Sequence, residues 1–185
     1  MGFLFAVNVK FLSKDQPENA ITSQRWFVGW DYVGEIDLIN FPLLAIFSSA
    51  KCPASSILKA HDYAKEIRDG EMGIIGGFHA PAEKEVLEVL WKGRCPIIVV
   101  LGRGLEGARL PAAWKTEIEN GRLLVISPFK KYQKHVTKEI ALRQNDLAAR
   151  IAGRALIIHA SEGGSLQGQI ERWRSESVNI THLSE

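Results

Sequence analysis

From Leu43 onward, short apolar runs alternate with longer segments whose apolar residues recur at helical spacing. The runs LLAIFSS, MGIIGGF, PIIVVLG, RLLVISPF and RALIIHAS carry apolar residues without alternation, the pattern of strands buried on both faces. Between the first two, SSILKAHDYAKEIRDG sets Ile57, Ala60, Ala64 and Ile67 on one helical face, with Ser55 or Ser56 as the starting cap and Gly70 closing it. APAEKEVLEVLWKG predicts a second helix, with Pro81 in its first turn, glutamates early and Gly93 beyond its end. LPAAWKTEIENG, HVTKEIALRQNDLAARIAG and SLQGQIERWRSES predict three more helices, and VNITHL a last strand.

Strands separated by helices of this length require right-handed crossovers and a parallel sheet covered on both faces. The expected class is therefore α/β: a Rossmann-like, doubly wound, mainly parallel sheet of about six to seven strands. Residues 1–40 break the rhythm. MGFLFAVNVKFL alternates Phe3, Phe5, Val7, Val9 and Phe11 with other residues and reads as a strand, DQPENAITS as a polar loop, and QRWFVGW as a further strand. The expectation is an N-terminal β extension, 1–40, packed on a core of 41–185 within one globular unit.

Composition agrees with one core: 185 residues with 46% apolar content bury one well. Cys52 and Cys95 stand in no ligand or disulfide framework, which points to a reduced, cytoplasmic setting. The apolar opening lacks a basic leader, is interrupted by Asn8 and Lys10, and is too short to cross a bilayer. A net charge of +2 says little until the charges are located. Between Phe129 and Ala155, Lys130, Lys131, Lys134, Lys138, Arg143, Arg150 and Arg154 stand against Glu139 and Asp146 alone. That run suits a polyphosphate backbone or a solvated helix face, and PFKKYQKH interleaves Phe129 and Tyr132 with its lysines, as base stacking needs.

Ligands of open α/β sheets collect beyond the carboxyl ends of the strands, which places four loops together: FSSAKCPASS, GGFHAPAE, LGRGLEG and ASEGGSLQ. In the first, Ser48, Ser49 and Lys51 offer hydroxyls and an ammonium beside a helix start, a phosphate setting or an ordinary capped turn. In the second, Gly77 permits close backbone approach and His79 either donates to a ligand or serves the structure. In the third, Arg103 is an anion contact or a solvated loop charge. In the fourth, Gly163, Gly164 and Ser165 open the last helix, where backbone amides suit an anion. No nucleophile elbow, zinc motif or clustered Cys/His spacing is present, so no catalytic residue, metal or cofactor is expected. The five tryptophans, Trp26, Trp30, Trp91, Trp114 and Trp173, read as core or sheet-covering residues.

Together these loops resemble those of the DprA/Smf family of DNA-processing proteins. LLAIFSSAKCPAS matches its GSR-type phosphate loop, GGFHAPAE its SGLARGID, LGRGLE its LGTGLD, RQNDLAARIAG its RRNRIIAGLS, and GGSL its SGSL, in order from about Gln24 to Trp173. Ala50 stands at the arginine of the first motif with Lys51 beside it, and Ala80 and Pro81 at the arginine and glycine of the second. The resemblance implies a Rossmann-like domain, often homodimeric, that binds single-stranded DNA and delivers it to a RecA-type recombinase, without bond chemistry and without a membrane. It adds Arg143 and Asn145 to the anion pocket with Ser48, Ser49, Lys51, Gly164 and Ser165, and stacking from Phe78, Phe129 or Tyr132. The alternative is a nucleotide or sugar-phosphate protein resembling the lysine-decarboxylase-like phosphoribohydrolases (LOG type). Their PGGxGTxxE motif compares with EGGSLQGQIE, where Ile170 falls at the glutamate and Glu171 one place later.

Overall fold

The computed structural model describes residues 4–6, 10–11, 29–130 and 136–183. The readings made on Trp26, Lys131, Tyr132 and Lys134 lie outside the described residues.

In chain order the strands are β1 (Leu4–Ala6), β2 (Lys10–Phe11), β3 (Asp31–Gly34), β4 (Leu43–Ser48), β5 (Gly73–Gly76), β6 (Ile97–Val100), β7 (Arg109–Pro111), β8 (Leu123–Ser127), β9 (Arg154–His159) and β10 (Asn179–His182). The helices are α1 (Ala54–Ile67), α2 (Pro81–Leu90), α3 (Ala112–Glu119), α4 (Lys138–Ala152) and α5 (Ser165–Ser175), with a 3-10 turn at Ile36–Asn40. Eight strands form the main sheet in the order β10-β9-β4-β5-β6-β8-β3-β2. The first six run parallel, β3 is antiparallel to β8, and β2 antiparallel to β3. This is the doubly wound, Rossmann-like α/β architecture, one strand wider than the sequence predicts because β2 and β3 extend its antiparallel edge.

Both faces of the sheet are covered, and successive strand residues serve opposite cores. Leu43, Ala45 and Phe47 of β4 pack with Ala148 and Ala149 of α4, Ile170 and Trp173 of α5, and Leu38 and Ile39 of the 3-10 turn. Leu44 and Ile46 pack with Ala60 and Ala64 of α1 and Val86 and Leu90 of α2 on the other face. Trp173 is fully buried, its ring 4.7 Å from that of Phe47. Trp30 is buried too, and Trp91 and Trp114 lie 6.1 Å apart against the second core.

Four local expectations are corrected. The strand expected to run through Trp30 does not include Gly29 or Trp30: Gly29, at φ +84°, turns the chain into β3, which starts at Asp31, and residues 24–28 of that reading lie outside the described residues. Helix α1 begins on Pro53 without a side-chain cap, so Ser55 and Ser56 sit inside its first turn. Strand β7 was not expected at all; it pairs with β1, more than a hundred residues away, and has no apolar run of its own. Helix α1 also closes on Arg68, two residues before Gly70. Thr137 caps α4 through the Ile140 amide, and Gly153 at φ +64° ends it in the left-handed conformation that glycine adopts without strain. Both cysteines are free, and no helix among the described residues is long and apolar enough to cross a membrane.

Candidate functional site

The chain leaves β4 toward β5 and leaves β9 toward β10, so the two strands are neighbours whose following segments diverge. That is the switch point of an open sheet, where a crevice opens beyond the carboxyl ends of the strands. A cleft of about 420 Å³ lies there. Ser48, Ser49, Ala50 and Lys51 line it from the end of β4, His79, Ala80 and Glu83 from the β5–α2 junction, and Ser161, Gly164 and Ser165 from the start of α5. Lys138, Ala141, Leu142 and Asn145 of α4 close the opposite wall with Leu166 and Gln169 of α5.

The strand-end loops are tied to one another by their own polar groups. The Ser49 amide donates to the His159 carbonyl at 2.8 Å, and the Ser161 amide donates to the Ser49 hydroxyl at 2.9 Å. The Ser161 hydroxyl donates in turn to the Lys51 carbonyl. Gly163, at φ +65°, donates its amide to Oε1 of Gln167 at 2.8 Å. Ser49 and Gly163 are thus engaged within the protein, while the first turn of α5, from Ser165, opens onto the cleft with the positive end of its dipole.

Glu83 is the residue the sequence reading missed. Its side chain, 3% exposed, accepts the Ser48 amide at 2.8 Å on Oε1 and the His79 and Ala80 amides at 2.8 and 3.2 Å on Oε2. A carboxylate at the third position of a helix is an N-terminal signal, and APAEKE showed it; the Ser48 partner, thirty-five residues earlier, is set only by the pairing of β4 with β5. Burial raises the carboxyl to about 7, against the lowering effect of the three amides and of Lys84.

Gln144 holds the other side. Its side-chain amide donates to the Val100 carbonyl at 2.6 Å, and its Oε1 lies 2.8 Å from Nε2 of His79. Gly77 and Gly102 are small because of it: a Cβ on Gly77 would come within 2.8 Å of the His79 ring, and one on Gly102 within 2.6 Å of Gln144 Oε1. Asn145 donates to Gln169, and Gln169 donates to the Leu142 carbonyl and to Asp146. Asp146 also accepts from Arg172 and, at 2.9 Å, from the Trp173 indole, which fixes α5 against α4.

The structure brings Ser48, Ser49, Lys51, His79, Asn145, Gly164 and Ser165 to the one cleft, with Gly77 and Gly163 immediately behind its lining. It adds Lys138, which the sequence offered only as one member of a basic run. Arg103 and Arg143 stand apart from the lining. Arg103 donates to the Arg109 carbonyl, and the guanidinium of Arg143 sits 5.3 Å over the Phe129 ring. The basic run is dispersed: Lys130 pairs with buried Asp31 at 2.8 Å, Arg150 with Glu176 at 2.9 Å, and Arg154 begins β9 at the far end of the sheet. Phe78 is in the second core and offers no free stacking face, and Arg143 covers one face of Phe129, which does not line the cleft. For the alternative motif, Ile170 is buried in the core and Glu171 lies in a separate depression with Glu162, Arg174 and His182. Among the described residues no group of three His, Cys, Asp or Glu side chains is placed to hold a metal ion.

A doubly wound sheet with its cleft at the switch point is a Rossmann-like, ligand-cleft fold. Among solved structures, the chain is similar to DNA processing protein A (DprA) from Streptococcus pneumoniae, with a TM-score of 0.70 at 18% identity over 95% of this chain and 62% of that one. It is similar as well to DNA processing protein A from Helicobacter pylori, a structure described for its single-stranded DNA binding mode, with a TM-score of 0.67 at 16% identity over 92% of this chain and 74% of that one. A more distant likeness, TM-score 0.50 at 9% identity, covers 77% of this chain and 75% of the Moco carrier protein from Chlamydomonas rheinhardtii. The chain thus spans under two thirds of the Streptococcus pneumoniae protein. No family model and no curated protein matches the sequence.

Proposed function

We propose that the cleft binds single-stranded DNA, holding the phosphate backbone without breaking or forming a bond. The observation that carries this reading is the placement of two exposed ammonium groups, Lys51 on the β4–α1 loop and Lys138 on α4, on a switch-point cleft that the first turn of α5 also enters. Two point charges and a helix N-terminus suit phosphate, and the apolar wall of Ala141, Leu142 and Leu166 suits a sugar or base edge. The fold likeness to a protein described for single-stranded DNA binding supports the same reading. In it, Ser48, Ser49, His79, Asn145, Gly164 and Ser165 shape the pocket, with Gly77 and Gly163 as the close-approach positions. The resemblance of the loops to the DprA/Smf family extends the proposal to a cytoplasmic homodimer, its binding unit in residues 41–185, that takes part in DNA uptake and passes the strand to a RecA-type recombinase.

Fluorescence anisotropy with a short labelled single strand, its duplex and a mononucleotide, each at low and moderate salt, tests the core of this reading. The single strand is retained at low salt and released steeply as salt rises; Lys51→Ala and Lys138→Ala each weaken it several-fold and lower the salt slope by about one. Arg154→Ala, at the opposite end of the sheet, leaves binding unchanged. No retention at low salt, or a flat salt response, overturns the proposal.

A further inference from the structure

Most backbone amides at the cleft are already committed inside the protein. Ser49 donates to His159, Ser161 to Ser49, Gly163 to Gln167, and Gly164 to the Ser161 carbonyl. The group that commits the most is Glu83, which takes the last amide of β4 and the two amides at the start of α2. Those three donors, on adjacent strand ends and at the N-terminus of α2, are of the kind that binds a phosphate, and they stand beside the switch point. Here a side-chain carboxylate of the protein itself occupies that position, and it forms part of the cleft floor.

We infer that Glu83 determines the class of phosphate the cleft accepts: it fills the anion position at the β5 end, so that a single phosphodiester is held between Lys51, Lys138 and α5, and a pyrophosphate is turned away. This rests on the nucleic-acid reading above and narrows it. A diester in a strand carries one charge per linkage, and its neighbours are a sugar away. A pyrophosphate places a second charged phosphorus directly beside the first, and on the β5 side that group meets a fixed carboxylate whose amides are taken. Like charges at such a distance repel, and no free donor there offsets the repulsion. Lys84, next along α2, is exposed and does not line the cleft, and the His79 side chain is engaged with Gln144, so the cleft lining itself holds no replacement donor for the second phosphate at the β5 end.

The test is competition at pH 8.5, above the raised Glu83 value so that its carboxyl is ionised, against a labelled oligothymidylate by AMP, ADP and inorganic pyrophosphate, with wild type, Glu83→Gln and Glu83→Asp. In wild type, ADP and pyrophosphate displace the strand no better than AMP. In Glu83→Gln the charge is gone and at least one amide loses its acceptor, and the preference for ADP over AMP rises by about tenfold or more. Glu83→Asp keeps the charge and keeps the wild-type preference, which loss of packing alone would not produce. Wild type that prefers ADP overturns the inference, whatever the variants do. So does a folded Glu83→Gln protein with an unchanged ratio; Glu83→Ala, which frees all three amides, is read in the same way if the Gln variant fails to fold. Failure of wild type to retain the oligonucleotide at all overturns the DNA reading instead, so the two failures are distinguishable.

Discussion

Nε2 of His79 lies 2.8 Å from Oε1 of Gln144, and the orientation of that amide is fixed because its nitrogen donates to the Val100 carbonyl at 2.6 Å. With Oε1 as the acceptor, His79 must carry its proton on Nε2. Burial holds the imidazole below its usual pKa, so it is a neutral strut between the β5 end and α4 and not a standing cation in the cleft. The cleft's positive character therefore comes from Lys51, Lys138 and the α5 dipole.

Gln144→Ala leaves the Val100 carbonyl and the His79 Nε2 proton without partners in a buried place. The loss is expected to be about 2–3 kcal/mol of stability, with a melting temperature lower by roughly 5–10 °C. Denaturant titration of the two proteins measures it. A change below about 0.5 kcal/mol would mean that the network is surrounded by enough water to re-form its bonds.

Stability should depend on pH through two groups of opposite sign. Glu83, raised to about 7 from 4.5, binds its proton more tightly when folded; its contribution is fully present below the unfolded value and lost as pH rises through 7, on the order of 3 kcal/mol over that window. His79, lowered by burial, opposes it: the unfolded chain takes the proton first, so stability falls as pH drops below the ordinary histidine value. Lys84 favours the charged form of Glu83 and disfavours that of His79. Urea unfolding of Glu83→Gln between pH 5 and 8 should retain only the histidine limb, with stability rising toward neutral pH. A Gln variant whose stability still falls as pH rises through 7 would remove Glu83 from this account.

The chain shows plainly what is local and hides what is distant. The five apolar runs became β4, β5, β6, β8 and β9 because a strand buried on both faces needs nothing beyond its own composition. Thr137 and Gly153 bracket α4 as their residue types require. The cap expected on Ser55 or Ser56 did not form, because the helix already starts at Ala54 and both serines lie inside its first turn. Strand β7 exists only by pairing with β1. In the cleft, Lys51, Gly164 and Ser165 were legible from loop position, whereas Glu83 and Gln144 were not, since their partners lie thirty-five and sixty-five residues away. Charge counting along the chain failed for a related reason: Asp31 and Glu176 neutralise Lys130 and Arg150 from outside the basic run.

Asp146→Ala should loosen α5 from α4. Oδ1 of Asp146 gathers the Gln169 amide, the Arg172 guanidinium and the Trp173 indole N–H, and Trp173 is fully buried. Removing it leaves the indole proton and the Gln169 amide short of an acceptor, for an expected loss of about 2–3 kcal/mol. Trp173 should also report the change directly, as a shift of tryptophan emission that Trp173→Phe abolishes. An unaltered spectrum and unfolding midpoint would show that α5 is held by its apolar face alone.

Arg143 and Lys138 stand on the same helix and are separated by the course a bound strand would take. Lys138 lines the cleft; Arg143 lies over Phe129, outside the lining, where its guanidinium covers an aromatic face. A strand held in the cleft runs past Lys138, and Arg143→Ala should then lower affinity by no more than about twofold while Lys138→Ala lowers it several-fold at the same salt. The salt slope separates them further: losing a phosphate contact reduces it by about one, and losing a cation remote from the strand leaves it unchanged. Equal losses of affinity and slope for the two variants would place the strand along the outer face of α4 across Phe129, with the switch-point cleft left to a smaller ligand.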